Sequence, residues 1–177
     1  MKQTNWFERK FDFSTIQHTF PSILERLIGT PARIEEKLNG INPAFYTLKP
    51  DNKWAILEHI GHLSDLETLW QVRLQDLLQG KEELSPTDLN NTRTHQGQHY
   101  LKKPEVITQQ FRELRAQTVS QLEALTEEQI YLSALHPRLK TPMRTIDLFV
   151  FVAEHDDHHL ASISAMNRMF LSQPKQI

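Results

Sequence analysis

The chain has 177 residues, with 20 basic residues, 22 acidic residues, nine histidines and no cysteine. This length suits one sizeable core, and we expect residues 1–177 to form a single domain. The net charge of −2, without clustered basic residues, argues against nucleic-acid partners and anionic membranes. The lack of cysteine excludes disulfides and thiolate ligands. The sequence also shows no secretory or membrane-spanning pattern. Together with the lack of cysteine, this suits a cytoplasmic protein.

Four long amphipathic patterns follow one another along the chain. The first covers about 14–38, with Pro31 inside it as a candidate kink. The second covers about 53–79, the third about 104–125 and the fourth about 145–170. No alternation typical of β-strands is seen. The sequence therefore predicts an all-α four-helix bundle.

The segments outside these patterns carry weaker signals. The polar stretch 81–103 is long for a loop, which indicates a functional segment or short helices. Another short helical turn is expected to start near Thr126. An aromatic cluster near the amino terminus either folds back over an end of the bundle or forms a homodimer contact. Its members are Trp6, Phe7, Phe11 and Phe13.

The fourth pattern contains the most informative motif, Glu154-His155-Asp156-Asp157-His158-His159. His155 and His159 are four residues apart, so they lie on one helix face, within an otherwise apolar stripe. Buried imidazoles need partners, and one metal ion would supply a partner to both. The spacing fits equally well two core histidines that bond to carbonyls, carboxylates or each other.

A third metal ligand could come from the second pattern, which offers His59 and His62. Periodicity favours His59, because it lies at the edge of the stronger apolar stripe. His62 lies on a weaker apolar edge that can also be interior in a bundle, and the neighbouring Gly61 would allow close approach. The pattern alone leaves the choice open. His95 or His99 could also fold back from segment 81–103 as a ligand.

Two of the nine histidines give no signal of a site. His18 and His136 are interpreted as surface residues. Arg144 is a candidate contact for an anionic substrate, although the surface is the usual place for such a side chain.

Two motifs resemble those of the DinB-like superfamily. Trp54, followed eight residues later by His62-Leu63, is similar to the motif at the start of that family's second long helix. The residues from His155 to Leu160 resemble its carboxyl-terminal His-x-x-His-His pattern. Their order, helix placement and separation agree over nearly the whole chain.

This resemblance implies a four-helix bundle that binds one divalent metal ion through three histidines. Carried over position by position, the ligands are His62, His155 and His159, so the resemblance favours His62 over His59. His158 matches an additional family histidine that is usually not a ligand. Imidazole suits several divalent metals, of which we expect zinc or nickel.

The resemblance also implies a function, a thiol-dependent S-transferase of bacterial type. In that hypothesis the metal holds the thiolate of a low-molecular-weight thiol, such as bacillithiol or mycothiol, for attack on a small electrophilic substrate. The thiol comes from outside, in agreement with a chain that has no cysteine.

Two alternatives stay open. One is a metal-dependent hydrolase that uses metal-bound hydroxide, with Glu58, Asp65 and Glu154 as acid or base candidates only because they are near the ligands. Carboxylates that face solvent or support the ligands are the more ordinary interpretation. The other is a non-enzymatic stress or interaction protein that the metal stabilises. An enzyme is favoured, because no fourth strong ligand is apparent.

Overall fold

The computed structural model describes residues 3–13 and 18–172 of the chain. Its four long helices are α1 (Phe20–Asn39), α2 (Ile56–Leu78), α4 (Pro104–Glu123) and α6 (Thr145–Ser172). Two short helices, α3 (Thr92–Gly97) and α5 (Glu127–Ile130), lie between them. Short 3-10 turns cover Trp6–Glu8, Pro43–Phe45, Pro50–Asn52 and His99–Leu101. The predicted all-α four-helix bundle is confirmed; that residues 1–177 form one domain stays a prediction.

The ends of the long helices follow local chemistry. α1 begins at Phe20, after His18 with a φ of 57°, while residues 14–17, where the first pattern was predicted to start, lie outside the described residues. Pro31 lies inside a continuous α1. α2 begins at Ile56, because the Glu58 carboxylate accepts the backbone N–H of Ala55 at 2.8 Å. α6 extends to Ser172, and the rest of the expected tail, 173–177, is outside the description.

Smaller elements fill the connections. The strands β1 (Ser133–Leu135) and β2 (Pro142–Arg144) pair as an antiparallel hairpin just before α6. The sequence analysis saw no strand, because three residues are too few for an alternation to show. A capping box between Thr126 and Gln129 starts α5, where a short turn was expected. Segment 81–103 contains α3.

Two apolar clusters form the core and leave a polar layer between them. One cluster contains Trp70 and Leu74 of α2 and Phe151 of α6. The other contains Ile60 of α2 and Ile163 of α6. Buried polar residues occur between these positions along both helices: His62, Glu67, His155, Asp156 and His159.

An ion-pair network centred on Arg115 joins the four long helices within this layer. The Arg115 guanidinium of α4 donates to Glu67 of α2 at 2.6 Å and to Asp156 of α6 at 2.6 Å. It also donates to the Leu27 carbonyl of α1 at 3.3 Å. The hydroxyl of Thr118 donates to the other oxygen of Glu67. Such pairing is what allows these charges to be buried.

Within residues 3–13 and 18–172, none of the helices combines the length and hydropathy needed to cross a lipid bilayer.

Candidate metal centre

Three histidines from two helices converge in the polar layer. His62 extends from α2, and His155 and His159 extend from successive turns of α6. One ring nitrogen of each lies within 4.8 Å of the others, and all three residues are buried. His155 Nε2 and His159 Nε2 are 3.2 Å apart. Two nitrogens bound to one tetrahedral zinc at about 2.0–2.1 Å would be about 3.3 Å apart, so this pair fits a shared ion.

These three imidazoles are held in the neutral form that binds metals. Burial lowers the pKa of His62 to about 3, with nearby histidines acting in the same direction and Asp65 against them. Burial and the neighbouring histidines also lower the pKa of His155 and His159 well below the usual value. A neutral ring keeps a lone pair for a cation, so the protein does not need to release a proton to bind one.

Hydrogen bonds on the outer side of His62 fix which of its nitrogens faces the cluster. The Thr94 hydroxyl donates to Asp65 Oδ2 at 3.0 Å, so its oxygen is free to accept. His62 Nδ1 lies 3.0 Å from that oxygen and must therefore carry the proton. Its Nε2 lone pair is left for an ion. Asp65 is in turn bonded by His99 Nε2 at 2.8 Å, and this arrangement is typical of groups that support metal ligands.

Gly61 makes this support possible. A Cβ at position 61 would lie 2.1 Å from the ring of His99, and one at Gly97 would lie 2.6 Å from the same ring. The His99 ring therefore occupies the space that two missing side chains leave. The group that approaches Gly61 closely is the His99 ring. It lies on the side of α2 that faces segment 81–103.

The other histidines have separate places. His59 Nδ1 lies 2.8 Å from His159 Nδ1, so it is placed to fix the ring of His159 from outside. His158 Nδ1 is bonded by the side chain of Gln3 at 2.8 Å. His95 is exposed and contacts Trp54, with 6.0 Å between the ring centroids. Neither His95 nor His99 joins the group of three among the described residues.

A cavity of about 150 Å³ opens beside the three histidines. Aromatic side chains supply much of its wall, and Trp6 of the amino-terminal turn lies edge-on to His155 with 4.8 Å between ring centroids. Trp54 lies 4.6 Å from the ring of His62. The aromatic lining comprises Trp6, Phe7, Trp54, Trp70 and Phe151. Trp6 and Phe11 thus contact α6 of their own chain, while a homodimer stays a prediction.

The carboxylates named as acid or base candidates all have other partners. Glu58 bonds Lys49 Nζ at 2.7 Å and the backbone at the start of α2. Glu154 is paired with Arg9 at 2.7 Å and with Arg26. Asp65 is bonded by His99 and Thr94, and, although burial acts against them, these bonds lower its pKa. None of the three lines the cavity.

Two residues differ from their sequence interpretation, and one important residue was not singled out. His136 was expected at the surface, but it is 1% exposed and lines the cavity, because the β1–β2 hairpin turns it inward. Arg144 forms a bidentate pair with Asp147 and does not line the cavity. Arg73 of α2 does line it. The spacing 62, 66, 70, 73 on one helix face is the signal that could have found Arg73.

Comparisons with known proteins agree with this fold. The sequence model of the DinB superfamily matches residues 26–163. Among solved structures, the chain is similar to YfiT from Bacillus subtilis, described as a probable metal-dependent hydrolase with an unusual four-helix bundle topology. The TM-score is 0.78 at 20% identity, over 94% of this chain and 95% of that chain. No curated protein matches the chain.

Proposed function

The chain belongs to the DinB superfamily, and from that premise we propose that His62, His155 and His159 bind one divalent metal ion. The carrying observation is the convergence of three buried ring nitrogens within 4.8 Å. The nitrogen donors and their neutral state suit zinc or nickel. The Thr94 bond that orients His62 supports the same assignment.

We further propose that the protein is a transferase, which joins a low-molecular-weight thiol to a small electrophilic substrate. When bound, a divalent ion lowers the pKa of a thiol or a water molecule that it contacts. In the transfer, a carbon–sulfur bond forms, the bond to the leaving group breaks with its electron pair, and the thiol proton is released. The chain supplies the cavity in which both reactants meet.

The state of the nearby carboxylates supports a transferase over a hydrolase. Attack by water needs a base or acid close to the reacting atoms, whereas a thiolate is already a strong nucleophile. Glu58, Asp65 and Glu154 are bonded elsewhere and do not line the cavity. The aromatic walls would exclude water from the thiolate, which favours transfer over hydrolysis.

A metal-dependent hydrolase is the second candidate, and two observations favour it. The solved relative YfiT is described as a probable hydrolase of this kind. His158 also lines the cavity beside His159. Because the Gln3 amide donates to its Nδ1, its Nε2 carries a proton that could be given to a leaving group.

Elemental analysis of untagged protein tests the metal site. We expect about one divalent ion per chain, and loss of that ion in His62→Ala and in His155→Ala. His95→Ala is the matched control, because His95 is exposed and outside the group of three. Metal retained in His155→Ala, or lost equally in His95→Ala, would contradict the assignment.

A screen of electrophiles with several low-molecular-weight thiols separates the functions. Turnover that requires a thiol and disappears in His155→Ala supports the transferase. Ester or amide cleavage without thiol supports the hydrolase. If no turnover is found and chelation lowers the melting temperature strongly, the ion is structural and the enzyme proposal fails.

A further inference from the structure

Among the residues that the structure describes, a cationic corner of the cavity forms no salt bridge with a carboxylate. This arginine corner consists of Arg73, His136 and Arg138, which line the same cavity as the metal-binding histidines. Arg73 is 1% exposed; its Nε donates to the Ser85 carbonyl at 2.9 Å, and its Nη1 lies 3.2 Å from His136 Nε2. The third nitrogen, Nη2, is buried without a hydrogen-bond partner in the described part of the chain, and so is Arg138 Nη2.

His136 adds to the surplus of donors in this corner. Its Nδ1 faces the backbone N–H groups of Arg138 and Leu139, each at 3.2 Å. Its Nε2 faces Arg73. A neutral imidazole has one acceptor nitrogen, and an imidazolium has none. Both nitrogens of His136 face N–H donors, but only one of them can accept a hydrogen bond. The arginine corner therefore has more donors than acceptors.

The carboxylates nearest in the sequence are committed elsewhere. Asp76 accepts from Lys81 Nζ at 2.6 Å and from the backbone N–H of Ser85 at 2.7 Å. Asp88 lines the cavity, but its two oxygens accept the backbone N–H groups of Asn90 and Thr92. Among the described residues, no carboxylate forms a salt bridge with Arg73 or Arg138.

The electrostatic consequence is a lowered pKa for both guanidinium groups. Burial and the charge of Arg138 lower the pKa of Arg73 to about 10, although Asp76 acts in the opposite direction. Burial also lowers the pKa of Arg138. Buried donors without partners are rare in folded proteins and call for a reason. An anion bound between the two guanidinium groups would satisfy both.

The remaining walls indicate what the anion is attached to. Trp70 lies between the arginine corner and the histidines, because its ring contacts both Arg73 and His155. Phe151 contacts His136, and Trp54 contacts His62. The volume of about 150 Å³ matches cavities known to hold one benzene-sized ring. The two unpartnered Nη2 groups each need an acceptor, and a carboxylate has two acceptor oxygens.

We propose that Arg73 and Arg138 bind the carboxylate of a small organic acid, whose apolar body lies between the aromatic side chains and next to the metal-binding histidines. Only the further idea that this organic acid is the substrate depends on the function proposed above. Anion binding by the two arginines does not require the ion.

Calorimetric titration of the full chain with benzoate and with the neutral analogue benzamide tests this site. Metal is first removed with a chelator, so that the carboxylate cannot bind an ion instead. We expect benzoate to bind at least tenfold more tightly than benzamide. Arg73→Gln and Arg138→Gln should each remove this preference by weakening benzoate binding. Arg168→Gln, which removes the same charge from an exposed position on α6, should leave it intact.

Two results would overturn the proposal: equal affinity for benzoate and benzamide, or full benzoate affinity in both arginine variants. If Arg73→Gln does not fold, Arg138→Gln decides, because Arg138 is only partly buried. A parallel titration with zinc separates the two proposals. A benzoate preference without zinc uptake contradicts only the metal site, and zinc uptake without a benzoate preference contradicts only the carboxylate site.

Discussion

Arg73 and Arg115 lie equally deep in the protein, at 1% exposure each, yet their surroundings are opposite. Arg115 is enclosed by two carboxylates, and although burial acts against them, Asp156 and Glu67 raise its pKa above the usual value. Arg73 has one carbonyl acceptor and an imidazole, and its pKa is lowered to about 10.

This contrast distinguishes a buried charge that the protein neutralises itself from one that it leaves without a salt bridge. The Arg115 network is completed by the chain itself and connects four helices. The arginine corner is completed only when something binds. Perturbed groups that line a cavity and lack partners are typical of functional sites. Depth alone would have placed both arginines in one class.

The largest expected difference is in stability. Arg115→Met leaves Glu67 and Asp156 buried without their partner, and we expect the free energy of unfolding to fall by about 3–5 kcal/mol. Arg73→Met removes a buried charge that forms no salt bridge within the described part of the chain, so stability should stay equal or rise. Urea unfolding of both variants measures the free energy of unfolding. Equal losses in the two variants would contradict the difference drawn between these arginines.

A second test concerns the close packing of His99 against Gly61. Gly61→Ala would put a Cβ 2.1 Å from the ring of His99, which is 2% exposed and has little room to move. We expect a loss of about 1–3 kcal/mol in the same unfolding assay. Gly29→Ala in α1 is the matched control, because nothing lies within 4 Å of its Cβ position. If neither substitution lowers stability, the packing around His99 is loose.

Acid should weaken the arginine corner. Burial and the charges of Arg73 and Arg138 lower the pKa of His136 to about 4. Since the unfolded chain takes up this proton first, near pH 6.5, stability is full above that pH and falls as the pH drops towards 4.

For His136 the loss between pH 6.5 and 5 is about 2 kcal/mol. We expect His136→Asn, whose side-chain oxygen can still accept the backbone N–H groups, to lose less stability over this range. Unfolding of metal-free protein at the two pH values measures the difference. The same acid sensitivity in wild type and variant would contradict the assignment.

The smallest expected effect is on metal affinity. Thr94→Val removes the acceptor for His62 Nδ1 and the link to Asp65, and should weaken zinc binding about tenfold. Thr92→Val, on the exposed start of the same helix, should not. Competition with a chromogenic chelator measures both affinities. If the two variants bind zinc equally well, the Thr94 bond does not support the site.

The bundle and half of the candidate site could be predicted because their signals are local. Long periodic patterns predicted the four helices, and the i, i+4 spacing put His155 and His159 on one face. The choice of His62 over His59 came from the family resemblance, since both positions lie on α2 and periodicity favoured His59. The ligand assignment itself stays a prediction.

The supporting groups could not be predicted, because they depend on how irregular segments fold back. Thr94 and His99 reach α2 only through the path of segment 81–103. His136 is turned inward by strands of three residues each. Periodicity could have placed Arg73 on the cavity side of α2. That no carboxylate of the described residues forms a salt bridge with it depends on contacts in three dimensions.

The amino-terminal turn has a practical consequence. Trp6 lies against His155, and the side chain of Gln3 bonds His158, so any tag fused ahead of Gln3 begins a few residues from the candidate ion. An oligohistidine tag there would bring competing imidazoles to the cavity mouth and could carry nickel from an affinity resin into it. Metal content measured on such a fusion would describe the purification rather than the protein. A tag placed after the end of α6, more than three helical turns beyond His159, avoids that artefact.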